Sequence, residues 1–100
     1  MRRYTPGGLV GGWWVRRKFT RAGVVAWRGG RPGPFIQNHG SIVVENVTLW
    51  TGVRLEVGRG GRLFIGKGTY LNRNVTVVCD ESVHIGRDCA ISWDVVIMDT

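Results

Sequence analysis

Two histidines and two cysteines are the side chains of this 100-residue sequence best suited to proton transfer, nucleophilic attack or metal binding. A histidine of ordinary pKa, about 6.5, moves protons readily near neutral pH. His84, however, stands between Val83 and Ile85, so strand alternation turns it outward if those two point inward. His39 lies in the turn-like stretch Gln37-Asn38-His39-Gly40, which favours a loop role. Neither reads as a catalytic base. Cys79 and Cys89 are separated by ten residues with no second pair nearby, which fits no zinc motif. They read as thiols of a reducing compartment. Gly58-Arg59-Gly60-Gly61-Arg62 has the look of a phosphate cradle but lacks the Lys-Ser/Thr ending of a P-loop. A corner loop is the simpler reading.

The elements that would hold such residues announce themselves by period. Leu49 and Leu55, then Ile65, Leu71 and Val77, then Ile85, Ile91 and Ile97 step by six within each group. All eight are Val, Ile or Leu, types that make up only 26 of the 100 residues. Four residues after these aliphatics come Val53, Thr69, Val75, Cys89 and Val95, all small or β-branched, with misses at Arg59 and Glu81. The next position after the aliphatic carries Gly66, Asn72, Gly86 and Ser92, residues that tolerate corner geometry. A period of six keeps no face of an α-helix or coiled coil buried. It fits short straight sides joined by tight corners, three sides closing a triangular coil. An antiparallel barrel or sandwich would explain the β-branched content but not the fixed phase.

A longer repeat overlies the short one. Residues 63–77 align without a gap on residues 83–97, at an offset of twenty. Three six-residue sides make eighteen, so two residues bulge at a corner around Asp80 to Ser82. A fainter copy runs from Ile42 through Val44, Leu49 and Val53 to Leu55 with a one-residue slip. The fold expected is all-β: a parallel β-helix of about three coils over 41–100, its strands stacked about 4.8 Å apart, preceded by a basic, Trp-rich arm or cap, helical or irregular, over 1–40.

The segments Ile65-Gly66-Lys67-Gly68, Asn72-Arg73-Asn74-Val75-Thr76-Val77, Val83-His84-Ile85-Gly86-Arg87-Asp88 and Ile97-Met98-Asp99-Thr100 resemble the hexapeptide-repeat acyltransferases. The branch they look most like contains sugar and polysaccharide O-acetyltransferases. Asn38-His39-Gly40-Ser41-Ile42 looks like that family's entry into its first coil. The resemblance covers about sixty residues; it is fairly specific for the fold and less so for the acceptor. It implies a left-handed coil and transfer of an acyl group, usually acetyl, from acetyl-CoA to a hydroxyl of a sugar or glycan, with no metal. It also implies a homotrimer with sites between subunits.

In that family a histidine acts as base a few residues beyond a segment like Ile97–Thr100, so the base is expected past Thr100 and the coils of 41–100 are expected to be incomplete. The family's Asn-x-Asn segment makes Asn74 the leading acceptor contact and Asn72 a weaker one, against a plain corner role for each. Asp99 would orient the base or line the acceptor site, or be a solvated corner. Coenzyme A lies along later coils in the family, so no residue here is assigned to it. The alternative to an enzyme is a non-catalytic β-helix: a scaffold, a pseudo-enzyme or a truncated remnant. A β-helical zinc carbonic anhydrase needs three histidine ligands and is disfavoured with two.

The net charge of +7 is lopsided. Residues 1–44 carry eight basic and no acidic residues, residues 45–100 six basic and seven acidic. Between 9 and 28, Trp13, Trp14, Phe19 and Trp27 interleave with Arg16, Arg17, Lys18, Arg21 and Arg28. Leu9/Trp13, Val10/Trp14 and Val15/Phe19 are spaced for one face of a short helix, though Gly11, Gly12 and Gly23 weaken it. This arm would cap the open end of the first coil. The same composition suits contact with an anionic membrane surface, while nucleic-acid binding has only the mixture of basic and aromatic residues in its favour. No run approaches the ~20 apolar residues of a membrane span and no secretory leader is apparent. The location expected is the cytoplasm, with membrane association at its inner face as a variant.

Overall fold

The structure, a computed structural model, describes residues 18–100. It holds twelve short strands among those residues and no helix. In chain order they are β1 (Arg21–Ala22), β2 (Val25–Arg28), β3 (Phe35–Asn38), β4 (Ser41–Val44), β5 (Val47–Trp50), β6 (Arg54–Val57), β7 (Arg62–Ile65), β8 (Tyr70–Leu71), β9 (Thr76–Cys79), β10 (Ser82–Ile85), β11 (Ala90–Ile91) and β12 (Val96–Met98). They assemble into three four-stranded sheets with the orders β1-β4-β7-β10, β2-β5-β8-β11 and β3-β6-β9-β12. Every pairing is parallel. Each strand thus pairs with the strand three places on in the chain, and three successive strands make one turn. The result is a parallel β-solenoid of about four coils, measuring 35 × 25 × 23 Å. We call the three walls sheets A, B and C in that order.

The six-residue phase is the inward phase. Leu49, Leu55, Ile65, Leu71 and Val77 are fully buried, and Ile85 is 7% exposed. Val53, Thr69 and Val75, in the second register, fill the corners between them and are buried as well, while Glu81 is exposed. Fully burying one such aliphatic is worth about 1.5–3 kcal/mol, so this single column of contacts dominates the fold. Thr69 is the one buried polar residue among the described residues, and its hydroxyl is satisfied twice. It donates to the Gly86 carbonyl at 2.6 Å and accepts from the Cys89 N–H at 3.0 Å.

The offset of twenty between coils three and four holds along all three walls: Leu63 pairs with Val83, Leu71 with Ile91 and Val77 with Ile97. The two-residue bulge expected around Asp80 to Ser82 is instead a tight corner: only Asp80 and Glu81 separate β9 from β10, whereas four residues separate β7 from β8 and β8 from β9. Between coils two and three, Ile42 pairs with Leu63 but Leu49 with Leu71. The one-residue slip therefore sits at the corner between sheets A and B.

The coils start earlier than 41. β1, β2 and β3 precede Gly40 and pair with β4, β5 and β6, giving four coils where three were expected. Residues 18–28 are consequently not helical. Gly23 weakens a helix there, and Val24 and Val25 favour strand; Thr20 and Gly23 donate their N–H groups to Ile42 and Val44 of the next coil. Phe19 is 8% exposed and joins the core. The part of the expected helix before Lys18, with Trp13 and Trp14, lies outside the described residues.

Candidate functional site

The three residues singled out from the sequence fall at two different corners. Asn72 and Asn74 stand where sheet B turns into sheet C, between β8 and β9. Asp99 follows β12 at the far end of sheet C. The full length of that sheet separates them, so they do not form one cluster.

Asn74 adopts φ +61°, a left-handed backbone that asparagine tolerates better than most residues. Its N–H donates to the Thr51 carbonyl at 3.1 Å. Its Oδ1 fills the place where a Cβ would stand on Gly52, itself at φ +76°. The corner is thus built as a stack, with glycine in one coil vacating space for the amide of the next. Asp94, twenty residues on, repeats the conformation at φ +59°. Asn74 accordingly has a complete structural reason to be asparagine. Asn72 differs. Its Oδ1 accepts the Arg73 N–H at 2.8 Å, which fixes the side chain and leaves its NH2 as a donor toward the outer face of sheet B.

Asp99 caps the tight corner between β9 and β10. One carboxylate oxygen accepts the Asp80 N–H at 2.7 Å and the other accepts those of Glu81 and Ser82 at 2.9 and 2.7 Å. Three backbone donors, Asp80 and Glu81 foremost, favour the charged form, and they hold this carboxyl below its ordinary value against the opposing effect of desolvation. Both oxygens are occupied by the fold.

His84 projects outward from sheet A, its ring 4.6 Å from that of Phe64 in the neighbouring strand and tilted by 30°. His39 is exposed beside Gly40. Neither stands at the corner of Asn72 and Asn74. Cys79 is buried and Cys89 partly so, and both are free thiols. Burial pushes the Cys79 thiol above its ordinary value, and its Sγ donates to the Arg62 carbonyl at 3.3 Å. Among the described residues no group of three or more His, Cys, Asp or Glu is placed to hold a metal ion, and no helix is long and apolar enough to cross a membrane. The Gly58–Arg62 stretch turns sheet C into sheet A, with the Gly61 N–H donating to the Gly58 carbonyl at 2.9 Å, so it is a corner.

The outer face of sheet B carries basic, aromatic, hydroxyl and amide side chains together. Arg28, Thr48, Trp50, Tyr70 and Asn72 line an open groove of about 370 Å³. Arg28 and Trp50 are direct partners across β2 and β5, and Thr48 and Tyr70 across β5 and β8. The guanidiniums of Arg28 and Arg73 lie 5.9 and 6.0 Å from the centre of the Trp50 ring, within range of cation–π attraction. Of these residues Asn72 stood out in the sequence as a site candidate, and Arg28 only as part of the basic segment. The signal for the others was present: Trp50 follows Leu49 as Asn72 follows Leu71, so aligning coils two and three places both at the same outward position.

No protein-family model, no curated protein and no solved structure significantly matches the chain.

Proposed function

We propose that this chain is the acceptor-side part of a CoA-dependent acyltransferase that moves an acetyl group from acetyl-CoA to a hydroxyl of a sugar or glycan. The observation that carries this reading is the triangular solenoid, whose coils three and four superpose the motif-bearing segments 63–77 and 83–97 in register. Those segments hold the resemblance to the hexapeptide-repeat acyltransferases, whose coils are left-handed. The groove on sheet B, with a hydroxyl, an amide and aromatic surface beside Asn72, is suited to a sugar.

In such a transfer a base removes the proton of the acceptor hydroxyl and the oxygen attacks the thioester carbonyl. The C–S bond then breaks, and the coenzyme leaves as a thiol that has taken up the proton. Asn72 would hold the acceptor. Asn74 would hold the corner beside it, and Asp99 a corner on the far side of sheet C. Neither His39 nor His84 stands at the corner of Asn72 and Asn74, so neither is assigned as that base. Incubation of the natural full-length gene product with radiolabelled acetyl-CoA and a glycan panel tests this directly. Label incorporated into an O-acetyl ester is expected, and none into any glycan would overturn the reading. The resemblance also implies a homotrimer, which mass measurement in solution will test: a well-behaved monomer would count against it.

A second reading, a solenoid that binds without catalysing, is favoured by the outward stacking of His84 on Phe64. It predicts saccharide binding with no acetyl transfer.

A further inference from the structure

Sheet B carries a polar and aromatic track along the axis of the solenoid. Arg28 stands in coil one, Thr48 and Trp50 in coil two, and Tyr70, Asn72 and Arg73 in coil three. The twenty-residue offset sets Trp93, 65% exposed, one coil beyond Arg73. With strands about 4.8 Å apart, three inter-coil steps make a track about 14 Å long. That is a surface for a chain of sugar rings and not for a single one.

Charge along this track is of one sign in its first three coils. The strands of sheet B read Val-Ala-Trp-Arg, Val-Thr-Leu-Trp, Tyr-Leu and Ala-Ile, with no Asp or Glu among them. The nearby acidic residues are otherwise placed. Glu45 accepts the Lys67 N–H at 2.8 Å, Glu56 pairs with Arg54 on sheet C at 3.1 Å, and Asp88 and Asp94 sit at corners of coil four. Arg28 and Arg73 flank Trp50, which orders two long side chains so that less entropy is lost when they bind an anion. Both guanidiniums lie within cation–π range of the indole ring, where they compete with an unpaired nucleobase for it. What faces solvent is positive charge, the Thr48 hydroxyl, the Asn72 NH2 and the Tyr70 ring, 39% exposed.

We infer that the outer face of sheet B binds an acidic oligosaccharide, with separate carboxylates of the sugar chain at Arg28 and at Arg73, ring hydroxyls on Thr48 and Asn72, and a sugar face against Tyr70. This site concerns binding alone and stands whether or not acetyl transfer occurs. Where transfer does occur, it names the acceptor class as acidic.

Calorimetric titration of the full chain with an oligogalacturonate, the matching neutral oligosaccharide and an oligothymidylate tests the inference. Saturable binding of the oligogalacturonate is expected, at least tenfold tighter than the neutral chain and weakened by salt. The double variant Arg28→Gln/Arg73→Gln should lose at least tenfold, Arg73→Lys should retain most of the affinity, and Arg54→Gln on sheet C should change nothing. An unchanged far-ultraviolet dichroism spectrum shows that each variant is folded. Equal affinity for acidic and neutral chains, no binding at millimolar concentration, or equal loss from Arg54→Gln would overturn the site. Tighter binding of the oligothymidylate through the same two arginines would replace the glycan with nucleic acid. Binding without acetyl transfer sinks only the enzyme reading, and transfer to neutral glycans without acidic preference sinks only this one.

Discussion

Coils three and four have nearly the same inward pattern and different interiors. Leu71, Val75 and Val77 are fully buried, whereas their partners Ile91, Val95 and Ile97 keep part of their surface in water. Residue type does not explain this. Coil three is covered by a neighbour on both sides, while in the described residues coil four is covered on one. In a solenoid the same side chain is therefore worth different amounts according to its place in the stack, and the stability of a coil belongs largely to its interfaces.

The sharpest way to break that comparison is a matched pair of truncations. Leu71→Ala should cost about 3 kcal/mol, read as a loss in chemical-denaturation free energy, and Ile91→Ala only about 1 kcal/mol. Equal losses would show that coil four is covered in solution by a partner or by further chain. Next in size is Gly52→Ala. A side chain at φ +76° meets the Asn74 amide as well as the backbone penalty, and about 2 kcal/mol should be lost.

Asn74→Ala should cost about 1 kcal/mol, and Asn74→Gly nearly nothing, because only the left-handed backbone has to be supplied. If Asn74→Gly preserves the melting temperature yet abolishes acetyl transfer, the amide has a role beyond its corner. A smaller loss than that of Asn74→Ala is expected for Asp99→Asn. Its folded carboxyl titrates below the ordinary 3.8, so the stabilisation is fully present above that value and is lost as pH falls through the lowered one. Melting temperatures of wild type and Asp99→Asn should differ by a constant amount above about pH 5 and converge in stronger acid.

Coils two to four were legible in the sequence because their inward positions are filled by Val, Ile and Leu at fixed spacing. Coil one was not. Its register places Ala22, Trp27 and Asn38 where the next coil has Val44, Leu49 and Val57, so no aliphatic phase marks it. Asn38 satisfies its amide on the Lys18 carbonyl and the Gly40 N–H, both at 3.0 Å, and Trp27 donates its indole N–H to the Gly30 carbonyl at 3.1 Å. The end of the stack tolerates what its middle would not. The basic composition of that segment drew attention to a separate arm, although most of its charge from Arg21 onward decorates a coil. The candidate site was legible only in part. Asn72 was visible as a member of a motif, but Trp50 and Arg28 join it through inter-strand register, which a linear pattern does not display.

The corner between β2 and β3 has a further consequence. From Trp27 to Ile36 is nine residues, whereas from Leu49 to Leu55, their partners in the next coil, is six. The three extra residues are absorbed at one vertex, between Gly29 and Pro34, and the ladders on either side keep their pairing. Length at a vertex is thus uncoupled from rise along the axis, which makes this position a natural graft point. A foreign peptide inserted there would be displayed at a known height beside the track without changing the number of rungs.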